Sequence, residues 1–298
     1  MEQKLHPELT RTMTALLCKI SKCLPDDVYT RLRQMQQAEK GALGQELYVS
    51  MFGNLELAAK LDRPICQDTG LPMFFIKAGT AFPHLERVKA SFAEAVRQAT
   101  KIAPLRPNAV DPFLNKNTGD NTGAGTPWFE WEIVPGSDRL EVTVYLSGGG
   151  CSLPGRAQVL MPSEGWEGVA EFVLDAFVEY GVNACPPLLV GVGVGASAET
   201  AALLSKKALL RKIGTRNPSS QAAEMENMLM EALQSLGIGP QGLPGTSAVM
   251  GVHLEYAARH TATLAVGLSV GCWAHRRATI VYHPDLSYEI LTHSEVVL

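Results

Sequence analysis

Leu188-Leu189-Val190-Gly191-Val192-Gly193-Val194-Gly195 runs for eight residues without a charge, and after Ala196-Ser197 an amphipathic stretch extends from Ala198 to Leu210. The part from Leu188 to Val194, introduced by Cys185-Pro186-Pro187, has the length of a strand buried on both faces, not of a helix. Strand, glycine turn and helix in that order predict an α/β layer. The glycines themselves admit several roles. A dinucleotide-binding turn also wants an acidic residue about twenty positions on, where Arg211 and Lys212 stand instead. Close strand–helix packing and an anion seat at the helix N-terminus both remain open.

Outward from this strand, the spacing predicts a helix over Trp166 to Tyr180 on one side. On the other it predicts a further helix after Ser219, then strands over Thr263 to Val270 and Arg277 to His283. Pro7 to about Lys60 has the three- and four-residue apolar spacing of a helical N-terminal lobe (Leu16, Leu17, Ile20, Leu24, then Leu32, Met35, Leu47). A strand from Met73 to Lys77 and a helix from Leu85 to Thr100 follow. A long Pro/Asn/Gly loop then occupies 104–127, the kind of ordered loop that usually carries function. Trp128 to Val134 and Leu140 to Leu146, joined by Pro135-Gly136-Ser137-Asp138, read as a β-hairpin. The expected architecture is a single multi-lobed α/β domain over 1–298, with a helical N-terminal lobe packed on a mixed α/β core.

Composition narrows the function. The chain has 298 residues, 46% apolar and 19% charged, and 26 Lys+Arg against 30 Asp+Glu leave a net charge of −4. That balance argues against nucleic acid or an acidic membrane as partner. The 27 glycines and 18 prolines are scattered, as in a globular chain rich in tight turns. The first residues lack a basic stretch followed by an apolar core, and no run of eighteen apolar residues occurs, so the expected address is the cytoplasm. Six cysteines are too few for a disulfide scaffold.

Four of those cysteines stand in glycine- or proline-marked turns: Cys66 beside Gln67-Asp68, Cys151 after three glycines, Cys185 before two prolines, and Cys272 before Trp273-Ala274-His275. With no C-x-x-C pair, structural zinc and ferredoxin patterns are unsupported. Spacing alone leaves a shared metal or cluster site and four separate buried thiols both open. Asp68-Thr69-Gly70 resembles the aspartic-protease triplet, but the later triplets carry Asn117 and Asn121 where a second carboxylate would be needed. Arg106, Arg156, His260, His275 and Arg276 flank these turns and together suit a small anionic substrate.

Six motifs occur in order: Ile-Cys-Gln-Asp-Thr-Gly at 65–70, Ala-Pro-Leu-Arg at 103–106, Asn-Thr-Gly-Asp-Asn-Thr-Gly at 117–123, Gly-Gly-Gly-Cys-Ser-Leu-Pro-Gly-Arg at 148–156, Asn-Ala-Cys-Pro-Pro at 183–187 and Gly-Cys-Trp-Ala-His-Arg-Arg at 271–277. On these the chain resembles the class I (iron–sulfur) fumarate hydratase family over nearly its whole length. The resemblance implies a [4Fe-4S] cluster held by Cys66, Cys185 and Cys272, with Cys151 an extra cysteine. It also implies that Gln67, Arg106 and the Gly149 backbone bind a substrate carboxylate and that Asp68 and His260 handle protons. The implied reaction is water elimination from a small hydroxy dicarboxylate. The stretches around Cys151, 161–165 and 272–277 resemble those of tartrate-acting members, which implies (R,R)-tartrate going to oxaloacetate; malate/fumarate turnover is the alternative. A non-enzymatic iron–sulfur redox sensor is the rival from another class. Single-chain members carry a further C-terminal half, so the resemblance implies a separate beta subunit and an α2β2 heterotetramer.

Overall fold

The computed structural model describes residues 4–246, 248–296 and 298. The first three residues, which belong to the stretch expected to lack a leader, lie outside these. In chain order the elements are helices α1 (Pro7–Ile20), α2 (Asp26–Ala38) and α3 (Ala42–Leu61), strand β1 (Leu71–Gly79), helix α4 (Leu85–Ile102), and strands β2 (Val110–Asp111), β3 (Lys116–Asn117), β4 (Trp128–Val134), β5 (Leu140–Ser147) and β6 (Arg156–Leu160). Helix α5 (Gly165–Tyr180), strand β7 (Leu188–Gly195), helices α6 (Ala198–Ala208) and α7 (Ser220–Gln234), and strands β8 (Val249–Tyr256), β9 (Leu264–Gly271), β10 (Arg277–Tyr282) and β11 (Tyr288–Ile290) complete the fold, which is α/β. Among the described residues no helix is long and apolar enough to cross a membrane.

The chain forms two compact units, each built from more than one segment. The first takes residues 1–26, 53–148 and 276–298, and the second takes 27–52 and 149–275. The N-terminal helices are therefore shared out, α1 to the first unit and α2 to the second, while α3 contributes to both.

The first unit holds a sheet of order β11-β10-β5-β1-β4. Alternate residues of β1, Phe74, Ile76 and Ala78, point into one core with Leu9, Met13, Leu16 and Leu17 of α1 and Val88, Phe92 and Val96 of α4. The expected hairpin is corrected here: β4 and β5 flank β1 on opposite sides, β4 parallel to it and β5 antiparallel. The segment Pro135-Gly136-Ser137-Asp138 crosses the end of β1 instead of closing a turn. It is held there by Thr80 N–H on Val134 O (3.1 Å), Ala81 N–H on Ser137 O (2.9 Å) and Gly79 N–H on Arg139 O (2.9 Å). β1, apolar but for Lys77, is paired along both edges, and Gly79 permits the crossing because a Cβ there would lie 2.6 Å from Arg139 O.

The second unit holds a sheet of order β6-β9-β7-β8. Here the alternation of Val and Gly in β7 acquires its reason. Val190, Val192 and Val194 face Phe172, Val173 and Phe177 of α5 and Leu229 and Leu233 of α7. The glycines face α6, and on the neighbouring β9 a Cβ at Gly267 would lie 2.5 Å from Ala201 C and O. The glycine run is packing chemistry: it lets a helix approach the sheet at backbone distance. Helix α7 begins as its sequence requires, with Ser219 Oγ accepting the Ala222 N–H at 3.4 Å.

Candidate active site

In the first unit, the loop after α3 carries Cys66, Gln67 and Asp68. Its entrance is pinned by Ile65 N–H on Ser21 O (3.0 Å) and by Asn54 Nδ2 on Ile65 O (2.8 Å). Its exit is Gly70 at φ +78°, where any Cβ would run into the Leu146 backbone at 2.7 Å. Gln67 is exposed, whereas Cys66 and Asp68 are half-buried. The Cys66 thiol donates to Gln67 Oε1 (3.4 Å). One oxygen of Asp68, Oδ1, accepts both the Gly70 N–H (3.0 Å) and Asn108 Nδ2 (3.2 Å). Arg276, 2% exposed, donates to the Asp68 carbonyl oxygen at 2.7 Å. Arg106 presents an exposed side chain, and its carbonyl accepts from Asn121 Nδ2 (3.1 Å) and Thr69 Oγ1 (3.4 Å). The structure thus brings Cys66, Gln67, Asp68 and Arg106 onto two loops tied to each other. Arg276 serves the loop backbone.

In the second unit, Gly149, Cys151, Cys185 and Cys272 gather at one end of the sheet. Cys272 follows the last residue of β9, which pairs with the start of β7 (Leu189↔Gly271), and Cys185 stands just before that start. Trp273 N–H donates to Cys185 O at 3.2 Å, so the two cysteine turns adjoin. Cys185 is exposed and takes a left-handed backbone, φ 58°. Pro186 O accepts two donors from Gln241 (2.9 and 3.1 Å), which fixes the turn from behind. Gly149 opens a 3-10 turn, Gly150–Ser152, through Ser152 N–H on Gly149 O (3.0 Å), and a Cβ on Gly150 would stand 3.0 Å from Asn183 O. Cys151 is buried beneath this turn, with Lys206 of α6 nearby. Burial pulls the Lys206 ammonium below its ordinary range, and the charge of Cys151 acts in the opposite sense. His275 is buried with Nε2 against Leu209 O at 2.9 Å. Arg156 pairs with Glu179 at 2.9 Å.

His260 lies on the loop joining β8 to β9, at the end of the sheet where Gly195 pairs with Ala265. Six strand positions, roughly 20 Å at the usual rise, separate that end from the Leu189–Gly271 end. Within the second unit His260 therefore does not join Gly149, Cys185 and Cys272; its ring Nδ1 accepts the Ala262 N–H at 3.1 Å. Sequence motifs order residues along the chain, and a strand between two motifs sends them to opposite ends of a sheet.

Two groups were missed. Asn108 lies two positions past Arg106 in a Pro-Asn turn that signalled a loop without signalling the Asp68 contact. Lys206 sits mid-pattern in an amphipathic helix and carries no local sign at all. As donors, the thiols of Cys66, Cys185 and Cys272, none of them fully buried, suit an iron–sulfur cluster; among the described residues no three His, Cys, Asp or Glu side chains stand as one metal-binding group.

The model of the fumarate hydratase (Fumerase) family matches residues 10–281. The chain belongs to that family. Fumarate hydratases are hydro-lyases, which add or remove water across a carbon–carbon bond. Within similar proteins, L(+)-tartrate dehydratase subunit alpha of Escherichia coli strain K12 is 52% identical over 297 residues, covering 100% of this chain and 98% of its own. The protein of the same name from Shigella sonnei strain Ss046 matches to the same extent. A Methanocaldococcus jannaschii relative whose name carries the same words is 38% identical over 258 residues, covering 86% of this chain and 90% of its own.

Proposed function

We propose that this fumarate hydratase family member is the cluster-carrying subunit of a two-subunit enzyme that dehydrates (R,R)-tartrate to oxaloacetate. The observation that carries the reading is 52% identity, end to end, with proteins named for that activity. The reaction removes a proton from one hydroxyl-bearing carbon and hydroxide from its neighbour, and the resulting enol tautomerises to the ketone. Cys66, Cys185 and Cys272 would hold a [4Fe-4S] cluster, which when bound would supply Lewis-acid chemistry toward the departing hydroxyl. Gln67, the Arg106 guanidinium and the Gly149 N–H bind a substrate carboxylate, Arg106 in the planar, forked manner suited to two oxygens. They also steady the charge that builds on this carboxylate as the adjacent C–H breaks. Asp68 accepts or relays the proton; with Oδ1 already holding two donors, the carboxylate is oriented before substrate arrives. On the family resemblance His260 joins Asp68 in handling protons; within the second unit it stands a strand's length from Gly149, Cys185 and Cys272.

A beta subunit supplies the remaining carboxylate-binding and proton-transfer groups, in an α2β2 assembly in the cytoplasm. The test is anaerobic co-purification with the partner, with iron and sulfide quantified and oxaloacetate release from L(+)-tartrate compared with fumarate formation from L-malate. Preferential oxaloacetate release by the complex, with none from the isolated chain, is the expected result. Full turnover by the chain alone overturns the two-subunit reading. Preferential malate turnover supports the second reading, a fumarate hydratase proper, which the match of the family model to 10–281 favours.

A further inference from the structure

We infer that Asn108 and Asn121 are positioning residues that lock the Asp68 carboxylate and the Arg106 backbone into one rigid frame. The role assigned to Asp68 rests on the function proposed above; the frame itself rests on geometry. Asn121 belongs to the Asn-Thr-Gly-Asp-Asn-Thr-Gly motif, for which the proposed mechanism has no use. It is completely buried and left-handed, φ 60°, a backbone that Asn adopts more readily than most residues. Both ends of its amide are engaged. Oδ1 accepts the Asn108 N–H at 2.6 Å, while Nδ2 donates to Thr100 Oγ1 (3.0 Å) and to Arg106 O (3.1 Å).

Asn108, its backbone so fixed, turns its own amide onto the neighbouring loop: Nδ2 donates to Asp68 Oδ1 (3.2 Å) and to Gly70 O (3.3 Å). A continuous chain of hydrogen bonds therefore runs from the last turn of α4, at Thr100, through two asparagines to the carboxylate. Thr69 Oγ1 on Arg106 O (3.4 Å) braces it crosswise. Position 121 accepts once and donates twice, which an amide can do and a single hydroxyl or an ionised carboxylate cannot. Removing a poorly acidic C–H proton is sensitive to sub-ångström placement of the accepting oxygen, and a misplacement of about 1 Å costs about 100-fold. A carboxylate on a surface loop needs such a frame.

The test compares Asn108→Ala and Asn121→Asp with the parent, each purified anaerobically with its partner subunit. The first variant deletes the donor to Asp68; the second keeps shape and removes the donations to Thr100 and Arg106. Expected for Asn108→Ala is a kcat for tartrate lowered about 10- to 100-fold, with KM within about three-fold, unchanged iron content and faster amide hydrogen exchange confined to 66–71. Asn121→Asp extends the faster exchange to 105–109. A kcat within two-fold of the parent, or unaltered exchange over 66–71, overturns the inference. Altered exchange in a complex that turns over neither tartrate nor malate sustains the frame and sinks the functional reading instead.

Discussion

Replacing Gly267 by alanine should be among the most damaging single-methyl additions available in the second unit. The new Cβ would sit 2.5 Å from the carbonyl carbon and oxygen of Ala201 and 2.7 Å from Ala202 N. Ordinary carbon contacts lie near 3.5 Å, so α6 must retreat by about 1 Å. The obstacle is backbone in the middle of a helix, not the end of a flexible side chain, so rotamer changes cannot absorb it. Overpacking costs about 1–3 kcal/mol, and this case belongs at the upper end. At about 2–4 °C per kcal/mol for a body of this size, the melting midpoint falls by about 6–12 °C. The retreat also strains contacts that α6 makes at the cysteine end, where Leu209 O holds the His275 ring three residues past Cys272. Gly53→Ala supplies the control. That glycine lies inside α3 with nothing within 4 Å of its added Cβ, so the same methyl gains about 0.5–1 kcal/mol of helix propensity. Thermal and urea unfolding of the two variants beside the parent decides the matter. A Gly267→Ala midpoint within about 1 °C of the parent, or an equal fall for Gly53→Ala, would refute the claim that backbone contact between sheet and helix explains the glycines.

Tyr282 is fully buried in the first core, and its hydroxyl has no hydrogen-bond partner among the described residues. Tyr282→Phe should therefore raise stability by about 1 kcal/mol. Burial also pushes the phenol pKa well above its ordinary value of 10. The unfolded chain thus loses this proton first, and the parent loses stability relative to the variant as pH climbs past about 10; parallel melting curves from pH 8 to 11 would refute this. Glu226, 6% exposed, accepts from Arg211 (2.6 Å), the Leu254 N–H (2.8 Å) and the Asn217 N–H (3.2 Å). Glu226→Ala removes the acceptor of the Leu254 and Asn217 N–H groups, while Arg211 keeps Glu255 and the Leu254 and Thr215 carbonyls; it should cost about 2 kcal/mol in urea unfolding, and a loss under 0.5 kcal/mol, roughly the least a lost hydrogen bond costs, would contradict it. Cys185 is exposed at a turn, so Cys185→Ser should leave the melting midpoint of metal-free protein within about 2 °C while iron and tartrate turnover are lost. Retained iron with full turnover would remove Cys185 from the ligand set.

What could be read along the chain was whatever depends on near neighbours. The apolar runs of β7 and β9, the spacing of α4 to α7 and the Ser219 cap all follow from side chains within a few residues of one another. β8 was missed because Gly251, His253 and Glu255 break its apolar pattern, although His253 is 2% exposed and meets Ala208 O from a helix 45 residues away. β6 was missed because an edge strand of five residues, three of them exposed, has no pattern to show. Strand partnership is further from reach. Nothing between Trp128 and Leu146 records that β1, more than fifty residues upstream of β4, will take the place between β4 and β5. A hairpin was the local optimum, and the burial demand of β1 overrode it. The candidate site divides the same way. Its cysteines, Gln67, Asp68 and Arg106 announce themselves in turn motifs, because turns are where a fixed backbone can present a side chain. The groups that orient them, Asn108, Asn121 and Arg276, act across 15 to 208 positions, and nothing along the chain shows that one strand's length separates His260 from the cysteine turns of the second unit. Chemistry is therefore legible in motifs, whereas the geometry that makes chemistry efficient is set by pairings that only the fold contains.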